Sequence, residues 1–151
     1  MQKFSDHQVA LISGGTSGIG FATAELLLKQ GWCVVINGRN EWDGQEAVVK
    51  LRRISSKVRF VQGDVSKVMN CRRIVEDTVR LFGNLNALVT AAGYYEECLL
   101  EEVDEQSFDE MIGTNVKGTV FLCQAAAPYL KQVHGSIVTI SSDAGLQGNV
   151  A

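Results

Sequence analysis

The chain has 151 residues, of which 46% are apolar and 21% are charged, and its formal net charge is −3. This composition excludes a disordered polypeptide and predicts one globular domain, over residues 1–151, with its own hydrophobic core. The slightly acidic balance argues against nucleic-acid binding, which needs a basic face. Because no apolar run has the length of a bilayer and residues 1–7 lack the apolar core of a secretory signal, we expect a cytoplasmic protein that binds neither nucleic acid nor membranes.

The cysteine and histidine content predicts reduced thiols and no metal site. The four cysteines, at positions 33, 71, 98 and 123, are scattered and form no C-x-x-C pair, which is typical of an intracellular protein. His7 and His134 are far apart in the sequence, and neither has a neighbour that is typical of a metal ligand.

Short apolar runs alternate with stretches of helical periodicity along the chain. The apolar runs are bounded by turn residues and predict buried strands at 8–13, 33–37, 58–62, 86–90 and 136–141. Apolar residues at helical spacing predict helices over 21–30, 42–53 and 67–82, a short helix around Phe108, Met111 and Ile112, and a longer helix over 116–133. Uniformly apolar strands that alternate with helices predict a parallel sheet covered on both faces.

Two of the predicted helices carry specific expectations. The last predicted helix contains Pro128, which should bend or restart it because proline removes a backbone hydrogen bond. The first helix is expected to turn four residues toward the core: Ile19, Ala22, Leu26 and Leu27.

A glycine-rich segment, Ser13 to Gly20, joins the first predicted strand to the first helix. Its glycines stand at positions 14, 15, 18 and 20, which gives G-x-x-x-G-x-G rather than a literal G-x-G-x-x-G. A strand, a glycine-rich turn and a helix start together form a cradle for phosphate, because the helix offers unpaired N–H groups and the positive end of its dipole. An ordinary tight turn is the alternative for such a motif taken alone.

The end of the second predicted strand bears on cofactor choice. Dinucleotide-binding folds that prefer NAD place an acidic residue here, about twenty residues after the glycine turn, where it binds the ribose 2′-hydroxyl. This chain has no acid between the end of the second predicted strand and Glu41, and it has Arg39 instead. Arginine can form a charge-assisted fork with a 2′-phosphate, whereas a solvent-exposed arginine in a turn is the alternative. The missing acid and the present base together predict a preference for NADP(H) over NAD(H).

Two further strand ends carry candidate binding residues. Asp64 follows the third predicted strand, where a carboxylate can accept a hydrogen bond from the adenine amino group; the alternative is a helix N-cap at Asp64 or at nearby Ser66. The fourth strand ends in Thr90-Ala91-Ala92-Gly93. Its small residues allow a ligand to approach the backbone closely, or simply allow a tight turn.

Together these segments resemble the short-chain dehydrogenase/reductase family over essentially the whole chain. Ser13-Gly14 through Gly18-Ile19-Gly20 is similar to the T-G-x-x-x-G-I-G motif of that family, with serine in place of threonine. Asp64-Val65 resembles its adenine-contacting pair, and Thr90-Ala91-Ala92-Gly93 stands where the family has N-N-A-G. Asn115, within T-N-V-K-G, resembles the asparagine of the catalytic tetrad, and Ser142, within I-S-S, resembles the catalytic serine.

The resemblance implies an α/β fold, a Rossmann-type doubly wound parallel sheet with strand order 3-2-1-4-5, in which residues 1–151 form the NAD(P)-binding amino-terminal part of a subunit. Ser142 would then hydrogen-bond the substrate oxygen, and Asn115 would hold a water for proton relay. The alternatives are an Asn115 that only terminates or kinks a helix and a Ser142 in an ordinary turn. The implied cofactor-binding residues are Gly14, Thr16, Ser17, Gly18, Ile19, Gly20, Arg39, Asp64, Val65, Ala91, Ala92 and Gly93.

The sequence departs from this family in one respect that bears on catalysis. The family mechanism uses a Tyr-x-x-x-Lys pair after the serine, whereas Tyr94, Tyr95 and Tyr129 all precede Ser142 and none has a lysine four positions later. We therefore expect an NADP(H)-dependent oxidoreductase that interconverts a carbonyl and an alcohol, truncated before this pair and inactive as these residues alone. The alternatives are a non-catalytic fragment that binds NADP(H) or another subunit, and a structural α/β module that binds no nucleotide.

The family resemblance also predicts a homo-oligomer. In the family the helix that corresponds to 116–133 helps to build a dimer interface. Here that helix carries several small or β-branched residues that permit close packing between helices: Val120, Ala125, Ala126 and Ala127.

Overall fold

Residues 7–144, which the computed structural model describes, form a parallel sheet of five strands with helices on both sides. The strands are β1 (Val9–Ser13), β2 (Cys33–Gly38), β3 (Val58–Gln62), β4 (Ala87–Thr90) and β5 (Ser136–Thr139). The helices are α1 (Gly18–Lys29), α2 (Glu41–Leu51), α3 (Val68–Phe82), α4 (Glu105–Met111) and α5 (Thr119–Gln132). The strand order is β3-β2-β1-β4-β5 and every neighbouring pair is parallel, which confirms the predicted doubly wound fold.

The two faces of the sheet bury separate hydrophobic clusters, because successive residues of a strand point to opposite sides. In β1, Leu11 contributes to the cluster beneath α3 and α5, whereas Ile12 contributes to the cluster beneath α1 and α2. Both residues are fully buried. The central strands β1 and β2 are therefore apolar along most of their length rather than alternating, as expected for strands covered on both faces.

Helix α1 packs on the sheet with a different face from the one predicted. Its buried residues are Gly20, Ala24 and Leu28, whereas Ile19 is 62% exposed and Leu26 is 57% exposed. The small side chains at positions 20 and 24 let the helix approach the sheet closely. Because this helix is apolar over much of its circumference, helical spacing alone did not identify the buried face; Ala22 is exposed and Leu27 is half-buried.

The helical path from Glu105 to Gln132 is continuous, so the predicted start of a long helix at position 116 is wrong. Helices α4 and α5 are joined by a π-helical segment, Ile112–Gly118. Glycine at position 118 permits this path, because an added Cβ there would lie 2.8 Å from Val65 Cγ2. Helix α5 also runs through Pro128, which does not restart it.

The small residues predicted for an association surface on α5 do not all face outward. Ala126 is fully buried against the sheet, and Ala125 packs partly against the same cluster. Val116 and Val120 are 52% and 54% exposed. Val116 and Val120 therefore contribute exposed apolar surface to this helical region, whereas Ala126 belongs to the core and Ala125 packs against it.

Strand β5 is the last element of the described part of the chain. All residues of β5 are exposed, including Ile137 and Val138, and the strand ends at Thr139 rather than at the predicted residue 141.

The four cysteines are free thiols, and burial raises the pKa of Cys33 and Cys71. Among residues 7–144, no helix has the length and apolar composition needed to cross a membrane, and no group of three or more histidine, cysteine or acidic side chains is placed to hold a metal ion.

The contact between α2 and β3 generates the first testable prediction. Gly44 of α2 lies so close to Phe60 of β3 that an added Cβ would overlap the aromatic ring. In an exposed helix, a glycine-to-alanine change stabilises by about 1 kcal/mol, but overpacking in a core destabilises by about 1–3 kcal/mol. We expect Gly44→Ala to lower the free energy of unfolding measured in urea, and the additional change Phe60→Leu to restore part of the loss. A gain in stability from Gly44→Ala alone would contradict this account of the contact.

Candidate nucleotide-binding site

A cleft of about 550 Å³ lies at the carboxyl edge of the sheet, where β1 and β4 are neighbours and the connections leave in opposite directions. Ligands of open α/β sheets bind at such a switch point. The cleft lining includes most residues that the sequence predicts for cofactor binding: Gly14, Thr16, Ser17, Gly18, Ile19, Gly20, Arg39, Val65, Ala91, Ala92 and Gly93. Asp64 instead lines an adjoining depression of about 680 Å³, which shares Arg39 and Thr114 with the cleft.

The glycine-rich turn packs closely between the start of α1 and the end of β4. Gly14 has φ of 65°, and a Cβ added there would lie 2.6 Å from the backbone nitrogen of Ala92. A Cβ added to Gly20 would collide with the carbonyl oxygen of Gly14. Only glycine fits at either position. At Gly14 the backbone conformation and the close approach both exclude a side chain, and at Gly20 the close approach excludes it.

The start of α1 is left open to an anion. Its N-cap residue, Ser17, makes no side-chain capping hydrogen bond, and the first turn contains no acidic side chain. The N–H groups of a first helical turn have no partners within the helix, and the helix dipole favours negative charge there. The turn and the helix start therefore offer donors that a phosphate group can accept.

Ser13 ties the glycine-rich turn to the segment after β4. Its side chain is buried, and its Oγ accepts a hydrogen bond of 3.3 Å from the backbone N–H of Ala92. Its carbonyl oxygen accepts from the N–H of Ala91 at 3.2 Å. The serine that stands in place of the threonine of the motif thus fixes one wall of the cleft.

Asn37, which the sequence analysis did not select, connects three strand ends. It is 1% exposed, and its Nδ2 donates to the carbonyl oxygens of Val61 at 2.9 Å and Gly63 at 3.0 Å. Its own carbonyl oxygen accepts from the N–H of Gly15 at 3.0 Å. The signal in the sequence was a polar residue at the end of an otherwise apolar strand, since a buried amide needs partners.

Arg39 lies at the rim of the cleft, immediately after β2. Its backbone carbonyl oxygen accepts a hydrogen bond of 3.1 Å from Gln62 Nε2, and its side chain is exposed. Asn40 then caps α2, because its Oδ1 accepts from the N–H groups of Trp42 and Asp43. The cap fixes where α2 begins relative to Arg39.

Asp64 makes a local turn rather than a helix cap. Its Oδ1 accepts a hydrogen bond of 2.9 Å from the N–H of Ser66, and its carbonyl oxygen accepts from Asn70 Nδ2 at 3.2 Å. The N-cap residue of α3 is Lys67, without a side-chain capping bond. The alternative that Asp64 or Ser66 serves as the N-cap is therefore wrong.

Asn115 holds the loop after β4 from the opposite side. It lies in the π-helical segment, and its side chain forms two hydrogen bonds with the backbone of Tyr94: Oδ1 accepts from the N–H and Nδ2 donates to the carbonyl oxygen, each at 2.8 Å. A Cβ added to neighbouring Gly93 would lie 3.8 Å from Asn115 Oδ1. Asn115 is thus next to the cleft and anchored to its wall.

Ser142 follows β5 at the same edge of the sheet. The N–H of Ile140 donates to the carbonyl oxygen of Thr90, which aligns the ends of β4 and β5. The Ser142 hydroxyl donates to Asp143 at 3.4 Å and accepts from the N–H of Ala144 at 3.2 Å. Within residues 7–144, its recorded partners are these neighbours, so the structure does not bring it into hydrogen-bond contact with Asn115.

The backbone of Tyr94 is hydrogen-bonded to Asn115, and the Tyr94 hydroxyl is engaged by a carboxylate. The hydroxyl donates to Glu96 Oε2 at 2.7 Å. This hydrogen bond to a carboxylate raises the pKa of Tyr94. Exchange of a proton near neutral pH calls for the opposite shift, so Tyr94 does not stand in for the tyrosine of the family motif.

Comparison with protein families matches residues 8–151 to the family described as short chain dehydrogenase. The chain belongs to the short-chain dehydrogenase family. An 11-beta-hydroxysteroid dehydrogenase A from Sesamum indicum is 39% identical over 137 residues, which cover 89% of this chain and 39% of that protein. An uncharacterized oxidoreductase from Thermotoga maritima is 39% identical over 142 residues, which cover 93% of this chain and 56% of that protein. The chain thus spans 39% and 56% of the length of these two curated relatives.

Solved structures of similar proteins share the fold. An actinorhodin polyketide ketoreductase variant with NADPH has a TM-score of 0.90 at 28% identity, over 96% of this chain and 57% of that chain. An NADH-dependent reductase complexed with NAD has a TM-score of 0.87 at 26% identity, over 95% of this chain and 63% of that chain. Both forms of the nicotinamide dinucleotide therefore occur among the structural neighbours of this short-chain dehydrogenase.

The two hydrogen bonds between Asn115 and Tyr94 make the second prediction. Asn115→Asp keeps the acceptor for the Tyr94 N–H but places a second oxygen against the Tyr94 carbonyl oxygen. We expect a loss of about 1 kcal/mol in the free energy of unfolding at neutral pH, because one hydrogen bond is replaced by repulsion.

The deficit should depend on pH in a defined direction. The facing carbonyl disfavours the charged carboxylate, so the folded-state pKa of the new side chain lies above its unfolded value of about 3.9. The folded variant then binds more protons than the unfolded one between the two pKa values, and its stability falls as pH rises through that window. Urea unfolding of the variant and its parent should give a smaller difference below about pH 4 than at pH 7; equal differences would refute the paired geometry.

Proposed function

We propose that this chain supplies the NADP(H)-binding part of an oxidoreductase that interconverts a carbonyl and an alcohol. The observation that carries the proposal is the cleft at the ends of β1 and β4, with its glycine turn and the uncapped start of α1. The nicotinamide, when bound, supplies the hydride chemistry. The residues of this chain bind and orient the dinucleotide and the substrate oxygen.

The shape of the cleft fits a dinucleotide. Side chains at Gly14 or Gly20 would fill the space between the turn and its neighbours, and their absence leaves backbone N–H groups accessible for a diphosphate. We assign Asp64 and Val65 to the adenine end, and the small residues Ala91, Ala92 and Gly93 to close backbone contact with the dinucleotide. The known functions of similar proteins support an oxidoreductase, since these proteins include a hydroxysteroid dehydrogenase, an NADH-dependent reductase and a ketoreductase.

Asn115 and Ser142 are assigned to the substrate side of the reaction. With Oδ1 and Nδ2 bonded to Tyr94, the Asn115 amide retains one lone pair and one N–H that can hold a water. Ser142 would donate its hydroxyl hydrogen to the substrate oxygen, after giving up its bond to Asp143. Neither side chain has a pKa suited to exchanging a proton near neutral pH.

The preference for NADP(H) rests on Arg39. It lines the cleft, whereas no acidic residue lies between β2 and Glu41. Because the neighbours include one NADH-dependent and one NADPH-bound enzyme, the choice between the two cofactors depends on this chain's own residues. A guanidinium that is free to form two parallel hydrogen bonds suits a phosphate better than a hydroxyl.

Association and location form the remaining parts of the proposal. We infer a homo-oligomer through the helical region from Val116 to Gln132, whose exposed valines at 116 and 120 would otherwise remain in contact with solvent. We also infer a cytoplasmic protein, a location supported by the free cysteines.

Substitution of Arg39 tests the cofactor preference. Arg39→Ala should weaken NADPH binding by about 1.5–3 kcal/mol, the value of a hydrogen bond to a charged group, and should barely change NADH binding. Titration calorimetry with both nucleotides measures the difference. Arg53→Ala is the matched control, because Arg53 is exposed and lies outside the cleft lining. Equal losses for the two nucleotides would reject the phosphate role of Arg39.

Activity separates the proposed oxidoreductase from a non-catalytic binding module. A polypeptide of these 151 residues alone should bind NADPH but should not oxidise it in the presence of ketones or aldehydes, as followed by the NADPH absorbance at 340 nm. The reason is that loss of a general acid lowers the rate by a factor of roughly 10²–10⁴. Addition of a family carboxyl-terminal segment that carries Tyr-x-x-x-Lys should restore turnover. Steady turnover by the 151 residues alone, abolished by Ser142→Ala, would show that the missing pair is not required.

A further inference from the structure

We propose that Asp43 is a specificity-determining residue that limits the preference for a 2′-phosphate. The inference rests on the proposed nucleotide-binding function and adds a second residue to the choice between NADP(H) and NAD(H). In this interpretation Arg39 attracts the phosphate and Asp43 repels it, so that the selectivity of the site reflects the balance of the two charges.

Asp43 and Arg39 are the two charged residues among those in the described chain that line the 550 Å³ cleft. They are carried by adjoining elements, because Arg39 follows β2 and Asp43 lies in the first turn of α2. Asn40 fixes their relation, since its Oδ1 accepts from the N–H of Asp43 at 3.4 Å and from that of Trp42 at 2.8 Å. The placement of both charges in one cleft is therefore set by the cap of α2.

The charge of Asp43 is not committed elsewhere in the recorded contacts. Within residues 7–144 neither Asp43 nor Arg39 takes part in a recorded ion pair. The other acids of α2 have partners on their own helix: Glu41 accepts from Gln45, and Glu46 pairs with Lys50 at 2.7 Å. Asp43 is thus the acid of α2 whose field acts on the contents of the cleft.

The two nucleotides respond differently to this field. A phosphate monoester carries a charge of about −1.5 to −2 at neutral pH, so Asp43 raises the free energy of bound NADPH. A ribose 2′-hydroxyl is neutral, so Asp43 does not repel that part of NADH. The diphosphate common to both nucleotides binds, in the proposed function, at the start of α1. Since Asp43 is exposed, its effect is moderated by water and by salt.

The test compares two substitutions in the same helical turn. Asp43→Asn removes the charge that lines the cleft, and Glu41→Gln removes a charge of equal sign from the first turn of α2 outside the cleft lining. Both changes alter the helix dipole interaction alike, so their difference reports the position of the charge. Calorimetry of the whole chain with NADPH and NADH, at low and at high salt, gives the selectivity ratio for each variant.

We expect Asp43→Asn to tighten NADPH binding about two- to tenfold at low salt, with a smaller gain at high salt, and to leave NADH within about twofold. Glu41→Gln should leave the ratio unchanged. Adenosine 2′,5′-bisphosphate and adenosine 5′-monophosphate, which differ only in the 2′-phosphate, should reproduce the shift. Asp43→Ser gives a second uncharged variant, which guards against a folding defect of the first.

Two results would overturn the inference, and they differ from the failure of the proposed function. An unchanged selectivity ratio in folded Asp43→Asn and Asp43→Ser, or an equal shift in Glu41→Gln, would show that Asp43 does not determine specificity. Absence of binding of either nucleotide to the unsubstituted chain would instead reject the nucleotide-binding function, and the role of Asp43 with it.

Discussion

The constraint on which the site depends is the close approach of three backbone segments around the glycine turn. Gly14 is pressed against the backbone of Ala91 and Ala92, and Gly20 is pressed against Gly14 itself. These contacts bring the uncapped start of α1 to the switch point between β1 and β4, where its residues line the cleft. A single added methyl group at either glycine would overlap the neighbouring backbone, so the architecture and the proposed phosphate-binding turn share one steric requirement.

Neutral polar side chains, which are buried at Ser13 and Asn37 and exposed at Asn115, then hold this arrangement without adding charge. Asn37 joins the glycine turn to the end of β3, Ser13 joins β1 to the segment after β4, and Asn115 secures Tyr94 from the helical side. Each uses neutral hydrogen bonds, and the charges that line the cleft are those of Arg39 and Asp43. In the proposed function, affinity for the common part of a dinucleotide comes from backbone groups and the helix dipole, whereas discrimination at the 2′ position comes from exposed side chains that can change without disturbing the sheet.

The sequence predicted the strands and the position of the glycine turn, because buried parallel strands are mostly apolar and the turn residues follow directly from them, and the family resemblance implied the sheet order. It did not predict the buried face of α1, since Ile19 and Leu26 are as apolar as the buried Leu28 while close packing requires Gly20 and Ala24. It did not predict the role of Asn37 or the π-helical segment around Asn115. Both depend on partners distant in the chain, Val61 and Gly63 in one case and Tyr94 in the other, and local periodicity carries no information about them.

The segment from Ala91 to Tyr94 links the cleft to Asn115, which the proposed function assigns to the substrate side of the reaction. Ser13 forms a hydrogen bond with Ala92 at one end of this segment, and Asn115 forms hydrogen bonds with both backbone groups of Tyr94 at the other end. Because Asn115 belongs to the helical path that continues into α5, a shift of that path would displace the wall of the cleft as well as any water held by the asparagine. The π-helical turn thus connects the segment after β4 to α5, and in the proposed function this connection links the wall of the cofactor cleft to the groups that would meet the substrate oxygen.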